Sequence, residues 1–185
     1  MEKKISRREA KKIYIRMTIL DSATKEFNRK GFKETSVADI MNTANLGVGT
    51  FYNYFKTKDD ILLELLKPLV HGAEKLIHDG IQNKDSSIEI IENACGFIAK
   101  YLNDHQFILP LFLSSKKESP GFHFSFEEIL RQGQNRNEIR SDIPAEIIAE
   151  MFHSIYQAAS SSKLPFTFEE NVRMKIKILL DGIRI

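Results

Sequence analysis

Residues 36–55 read SVADIMNTANLGVGTFYNYF, and two short helices around a tight turn account for them. Ser36 can accept the free amide of Asp39 while Asp39 bonds back, a capping box with a shorter acid than usual. Val37, Ala38, Ile40, Met41 and Ala44 then share one apolar face. Asn45-Leu46-Gly47 is the turn. Asparagine is one of the few non-glycine residues that enter the left-handed region cheaply; Leu46 would plug the angle between the helices, and Gly47 can open the second. That helix, VGTFYNYF over 48–55, sets Val48, Phe51 and Phe55 on a core side at about 100° per residue. Opposite lie Gly49, Thr50 and Asn53, with Tyr52 and Tyr54 on the flanks. A face that only meets water has no use for this set, whereas a helix laid into a DNA major groove does. Gly49 allows close backbone approach, Thr50 and Asn53 can meet base edges, and the tyrosine hydroxyls can reach phosphates on either wall. An ordinary helical hairpin explains Phe51 and Phe55 as core, but the two tyrosines cannot both share that face.

The totals set the bounds. The chain has 185 residues, 42% of them hydrophobic, which suits one domain or two small ones with a real core. No run of eighteen apolar residues predicts a membrane span, and the N-terminal MEKKISRREAKK has no apolar stretch of a secretory signal. Cys95 is the single cysteine, so no disulfide can form within one chain; this fits a reducing cytoplasm, with Cys95 as a small apolar helix residue. The net charge of +2 is unevenly spread: residues 1–60 hold 13 Lys/Arg against 8 Asp/Glu, leaving 14 against 17 for the rest. The basic end coincides with the helix-turn-helix and points to a polyanionic partner for that end. Lys3, Lys4, Arg7, Arg8, Lys11 and Lys12 read either as a solvated helix start or as a basic arm that touches phosphates or the minor groove.

Outward from the motif, the 3.6-residue period predicts a helix over 6–30 with Ile13, Met17, Leu20, Ala23, Thr24 and Phe27 inward, ended by Gly31. Phe32 closes the core of the first three helices. Thr35 and Ser36 stand at the next helix N-terminus, where free amides favour a phosphate as well as a cap. A long helix follows from 58 to about 80, with Ile61, Leu62, Leu65, Leu66, Leu69, Val70, Ala73 and Leu76/Ile77 inward and a kink or break expected at Pro68. Lys58 in its first turn opposes the helix dipole, which hints at another use. Turns are expected at Asp79-Gly80 and over 83–86, and further helices over about 87–103, 106–114, 122–136, 145–160 and 167–183, with SKKESPG (115–121) as the clearest loop. No strand pattern occurs. The expected fold is all-α, about nine helices, with a basic arm and helix-turn-helix domain over 1–57 and a second helical domain over 58–185.

Across residues 19–62 the ordered set Ala23, Phe27, Gly31-Phe32, Thr35-Ser36-Val37, Ile40, Ala44, Gly49-Thr50-Phe51-Tyr52, Tyr54-Phe55 and Lys58 resembles the N-terminal domain of TetR-type transcriptional regulators. The family's usual turn glycine is Asn45 here, and its frequent serine at the start of the recognition helix is Gly47. The resemblance implies a double-stranded DNA operator as partner, a C-terminal region for an effector and for dimerisation, repression relieved by the effector as the usual outcome, and a phosphate contact from Lys58. With the reading of the helix, the expected DNA-binding residues are Thr35, Ser36, Gly49, Thr50, Tyr52, Asn53, Tyr54 and Lys58.

Nine of the thirteen phenylalanines lie between residues 97 and 168. Phe107, Phe112, Phe122, Phe124, Phe126 and Phe152, with Tyr101, Met151 and Tyr156, can line an apolar cavity, and the resemblance implies such a pocket for a small effector; the plain alternative is a packed core. Its expected lining is Tyr101, Phe107, Phe112, Phe126, Met151, Phe152 and Tyr156. Two stripes on the last helices, Ile147, Ile148, Met151, Ile155 and Ala158/Ala159, then Val172, Ile176, Leu179, Leu180 and Ile183, predict a four-helix homodimer interface. Two copies would also read a palindrome, which one short helix cannot. The five histidines are scattered, with no metal-ligand spacing, no phosphate-cradling glycine loop and no nucleophile elbow, so neither an enzyme nor a cofactor is expected. The remaining rival is a helical adaptor that binds protein through the same motif.

Overall fold

In a computed structural model, residues 6–114 and 122–185 are described, with the backbone alone for Ser114 and 122–125. The predicted 115–121 loop, Lys3 and Lys4, and the Phe122 and Phe124 side chains lie outside them. The described residues form nine α-helices, one short 3-10 turn and a single isolated bridge between Ile139 and Arg184. The fold is all-α, as expected, and divides into two compact units between Leu66 and Lys67.

The first unit begins with α1 (Arg7–Lys30), opened by a Ser6/Glu9 capping box and closed by Gly31 at φ 82. Gly31 takes a backbone that a side chain would strain. Its buried face is Ile19, Ala23 and Phe27. Ile13 and Met17 are exposed, so the inward stripe of α1 starts later than its period implied. α2 (Val37–Thr43) has the Ser36/Asp39 capping box expected of it, and Asn45 turns the chain at φ 54. Ile40 and Met41 are buried but Ala38 is exposed. α3 is only Val48–Phe51; bonds from the Tyr54 and Phe55 amides to the Phe51 carbonyl, 2.9 and 3.0 Å, carry one more turn. With so short a helix the core stripe is two rings, Phe51 and Phe55, with centroids 5.8 Å apart, and Val48 stays 43% exposed.

α4 (Lys58–Asn83) runs unbroken through Pro68 and past Gly80. The expected Asp79-Gly80 turn is helix because Gly80 is a packing residue. A Cβ there would meet Ile90 Cγ1 at 2.7 Å. The chain turns at Lys84, φ 63, within the turn expected over 83–86. The compact division falls later than the predicted boundary at 57/58, since Lys58, Asp60 and Glu64 bond to residues of the first unit.

The second unit is organised on α5 (Ser87–Asp104), whose Ile91, Ala94, Cys95, Ile98 and Leu102 are all buried. The 3-10 turn Gln106–Ile108, α6 (Leu109–Ser114), α7 (Phe122–Asn135), α8 (Ala145–Ser160) and α9 (Phe168–Ile183) follow. α5 packs on α9 and α7, and α8 on α7 and α9. Val172, Ile176, Leu179, Leu180 and Ile183, expected to face a second subunit, are buried within the chain itself. The face α9 leaves exposed is Met174 and Ile178. On α8, Ile148, Phe152, Tyr156 and Ala159 are buried and Ile147 and Met151 exposed. The predicted α8 stripe is therefore mixed: Ile148 and Ala159 belong to the core of the second unit.

Candidate nucleic-acid interface

α2, the Asn45 turn and α3 set one polar surface on the first unit. Tyr52 is 62% exposed. Gly49 and Asn53 are exposed, Thr50 and Tyr54 half-buried. Phe51 and Phe55 lie beneath, and Phe51 meets the Tyr52 ring edge-on at 5.3 Å. Arg16 braces that end: its guanidinium sits 5.1 Å over the Phe55 ring and pairs with Glu64 at 2.7 Å. Asn53 and Tyr54 line an open groove with Arg8, Lys11, Lys12, Glu9 and Ile15. The structure thus brings the basic start of α1 beside the end of the α3 turn, where three cations face a tyrosine and an amide.

The α2 N-terminus is built differently from a bare phosphate site. Ser36 Oγ accepts the Asp39 amide at 3.1 Å and donates to the Asp39 carboxylate at 2.6 Å. Lys30 pairs with the same carboxylate at 2.7 Å. That ion pair first, and the bonds from Ser36 next, hold Asp39 well below the usual carboxylate range. Thr35 is buried, and its hydroxyl donates to the Gly31 carbonyl at 2.7 Å, so its side chain braces the loop. Lys58 Nζ donates to the carbonyls of Phe32, Lys33 and Thr35 at 2.7, 3.0 and 2.9 Å. Gly49, Thr50, Tyr52, Asn53 and Tyr54 therefore share one surface, Ser36 is exposed at the α2 cap, and Thr35 and Lys58 are turned into the protein.

Sequence reasoning missed two groups. One is Arg16, an unremarked charge on the α1 face. The other is Glu26, buried among Arg29 at 2.7 Å and Thr43 at 2.7 Å. Its signal was available: Glu26 falls between Ala23 and Phe27 on the buried stripe, where an acid is kept only with partners.

Residues 19–65 match the family described as "Bacterial regulatory proteins, tetR family". Over this segment the chain carries the domain of that family. Among its relatives is the uncharacterised HTH-type transcriptional regulator YhgD of Bacillus subtilis, 28% identical over 94 residues. That likeness covers 51% of this chain and 49% of YhgD, so the chain spans about half the length of this relative. CprB of S. coelicolor A3(2), a TetR family protein, has the same fold with a TM-score of 0.70, 19% identity, and 93% and 89% of the two chains covered. Thermus thermophilus FadR, a TetR family transcriptional repressor solved with lauroyl-CoA, shares the fold at TM-score 0.61 and 20% identity over 92% and 95% of the chains. The relatives it matches are transcriptional regulators rather than enzymes.

In the second unit the expected pocket residues are mostly packed against each other. Phe126 stacks on Phe152 at 5.6 Å, Phe112 meets Tyr156 edge-on at 5.4 Å, and Tyr101 stacks on His105 at 4.3 Å. Tyr156 is buried and donates its hydroxyl to the Cys95 carbonyl at 3.2 Å. Phe107 is half-buried against His105. Met151 is 47% exposed, about 100° round α8 from the buried Phe152. Among the described residues no group of three His, Cys, Asp or Glu could hold a metal, and no helix is long and apolar enough to cross a membrane.

Proposed function

We propose that this protein is a ligand-responsive repressor that binds a palindromic operator as a homodimer and is released by a small apolar or aromatic effector. One observation carries the DNA reading: the polar side of the α3 turn, with Tyr52, Asn53 and Gly49, is open to solvent beside Arg8, Lys11 and Lys12. Tyr52 and Tyr54 hold phosphates, Thr50 and Asn53 meet base edges, and the basic start of α1 supplies the sequence-independent attraction. Ser36 offers one more hydroxyl at the α2 cap.

The dimer rests on the apolar residues that α8 and α9 leave uncovered, Ile147 and Met151 on one and Met174 and Ile178 on the other. Each pair lies four residues apart and so forms a short helix stripe. A second copy covers both stripes and sets two α3 turns against one palindrome. The effector reading is supported by the aromatic set of the second unit and by the lauroyl-CoA held by the FadR relative in fold. An effector acts only through a difference in affinity between two spacings of the recognition elements. α4, which has residues in both units, is the continuous element able to carry that difference.

Footprinting on the DNA that flanks the protein's own gene tests this. A protected segment with two-fold symmetry is expected. No protection at protein concentrations that saturate a basic DNA-binding domain on non-specific duplex rejects the operator reading.

A further inference from the structure

Lys58 is the first residue of α4, where its charge opposes the positive end of the helix dipole. An ammonium has three hydrogens and no acceptor. All three are accounted for inside the first unit, on the carbonyls of Phe32, Lys33 and Thr35 at 2.7, 3.0 and 2.9 Å. The same nitrogen lies 4.5 Å from the centre of the Phe32 ring. The Thr35 hydroxyl takes the Gly31 carbonyl at 2.7 Å. Two side chains thus hold four carbonyls of the six-residue stretch 31–36, which delivers the chain from α1 to the Ser36 cap of α2.

We propose that Lys58 is a positioning residue, a clasp that fastens the α1–α2 loop to the start of α4 and so fixes the direction in which α2 and the α3 turn leave it, and that it makes no phosphate contact. This deepens the DNA-binding reading above, but its stability and resonance arms stand without it. Three converging donors on one nitrogen are a lysine geometry. A planar guanidinium directs its donors along a fork and cannot reproduce it, although it keeps the charge and binds phosphate well.

The test uses the full chain, with Lys58→Ala and Lys58→Arg. Both variants are expected to lower Tm by about 5 °C or more, with charge-assisted bonds lost from a small unit. On a non-specific duplex DNA both are expected to keep the wild-type slope of log affinity against log salt, because the clasp releases no counterion. In the wild type the Lys58 ¹⁵Nζ resonance is expected to show protons protected from water and to stay unmoved when that duplex is added. A wild-type Tm in Lys58→Arg overturns the clasp, and this holds even where Lys58→Ala does not fold. A salt slope shallower by about one in either variant, or a Lys58 resonance shifted by DNA, overturns the exclusion of phosphate. Should the wild type fail to bind the duplex, the DNA-binding reading falls while the Tm and protection results still decide the clasp.

Discussion

The Thr43 hydroxyl donates to the Glu26 carboxylate across 2.7 Å, joining the last residue of α2 to the buried face of α1. Arg29 holds the other side of the same acid at 2.7 Å, and its hydrogen bond, followed by that from Thr43, keeps the Glu26 carboxyl below its ordinary range. A buried carboxylate with both sides occupied fixes the angle of α2 better than the two buried side chains of α2 alone. Glu26→Ala should therefore destabilise the protein by about 1–3 kcal/mol, read as a fall in Tm, because Thr43 and Arg29 lose a charged partner. An unchanged melting curve would show that Ile40 and Met41 suffice.

Five helix caps make the fold acid-sensitive. Asp39 is held low by Lys30 and Ser36, and Glu9, Asp60, Glu89 and Glu170 by backbone amides of Ser6, Thr57, Ser86 and Thr167. Each folded-state value lies below its ordinary one, 3.8 for Asp and 4.5 for Glu. The stability they contribute is present above those ordinary values and is lost as pH falls through the folded-state ones. Tm should be flat from neutrality to about pH 5 and fall below it. Asp39→Asn should flatten part of that fall in thermal melts at stepped pH; an acid limb identical to wild type counts against the Lys30–Asp39 pair.

Cys95 is fully enclosed by α5 and its neighbours, and burial pushes its thiol up to about 12. A thiol reagent at pH 8 should leave the folded protein unlabelled and label it on unfolding, since the thiolate is the reacting form. Tyr156→Phe removes the hydroxyl bond to the Cys95 carbonyl and should cost about 1 kcal/mol with labelling still slow. Rapid native labelling contradicts the packing of α5 against α7 and α9.

Neighbouring positions on α9 separate the core from the proposed interface. Leu180 is buried within the protomer and Ile178 is 73% exposed. Leu180→Ala should cost about 2–5 kcal/mol in unfolding without changing the oligomeric state of what remains folded. Ile178→Glu should leave the protomer's stability nearly intact and weaken the dimer in sedimentation velocity. Dimers that persist in Ile178→Glu place the subunit contact elsewhere.

The local grammar of the motif was legible in the sequence because it depends on near neighbours. The Ser36/Asp39 box and the left-handed Asn45 are both decided within four residues. What was not legible depends on distant partners. Gly80 reads as a turn residue until Ile90 is known to lie against it. The stripe from Val172 to Ile183 reads equally well as an interface or as core until α5 is known to cover it. The bonds of Lys58 and Thr35 to carbonyls were hidden for the same reason. Their carbonyl partners lie on a loop, and loop carbonyls leave no pattern in side chains.

The exposed polar side of the α3 turn is the centre of the account, and a salt-stepped fluorescence titration of duplex DNA with wild type and Thr50→Ala/Asn53→Ala tests it most directly. At a footprinted site the double variant should lose about tenfold or more in affinity, the size expected for losing base contacts worth about 1–3 kcal/mol each. Its salt slope and Tm should be unchanged, because no phosphate contact and no buried group is removed. Equal affinity of wild type and double variant for that site would contradict the claim that this surface reads DNA.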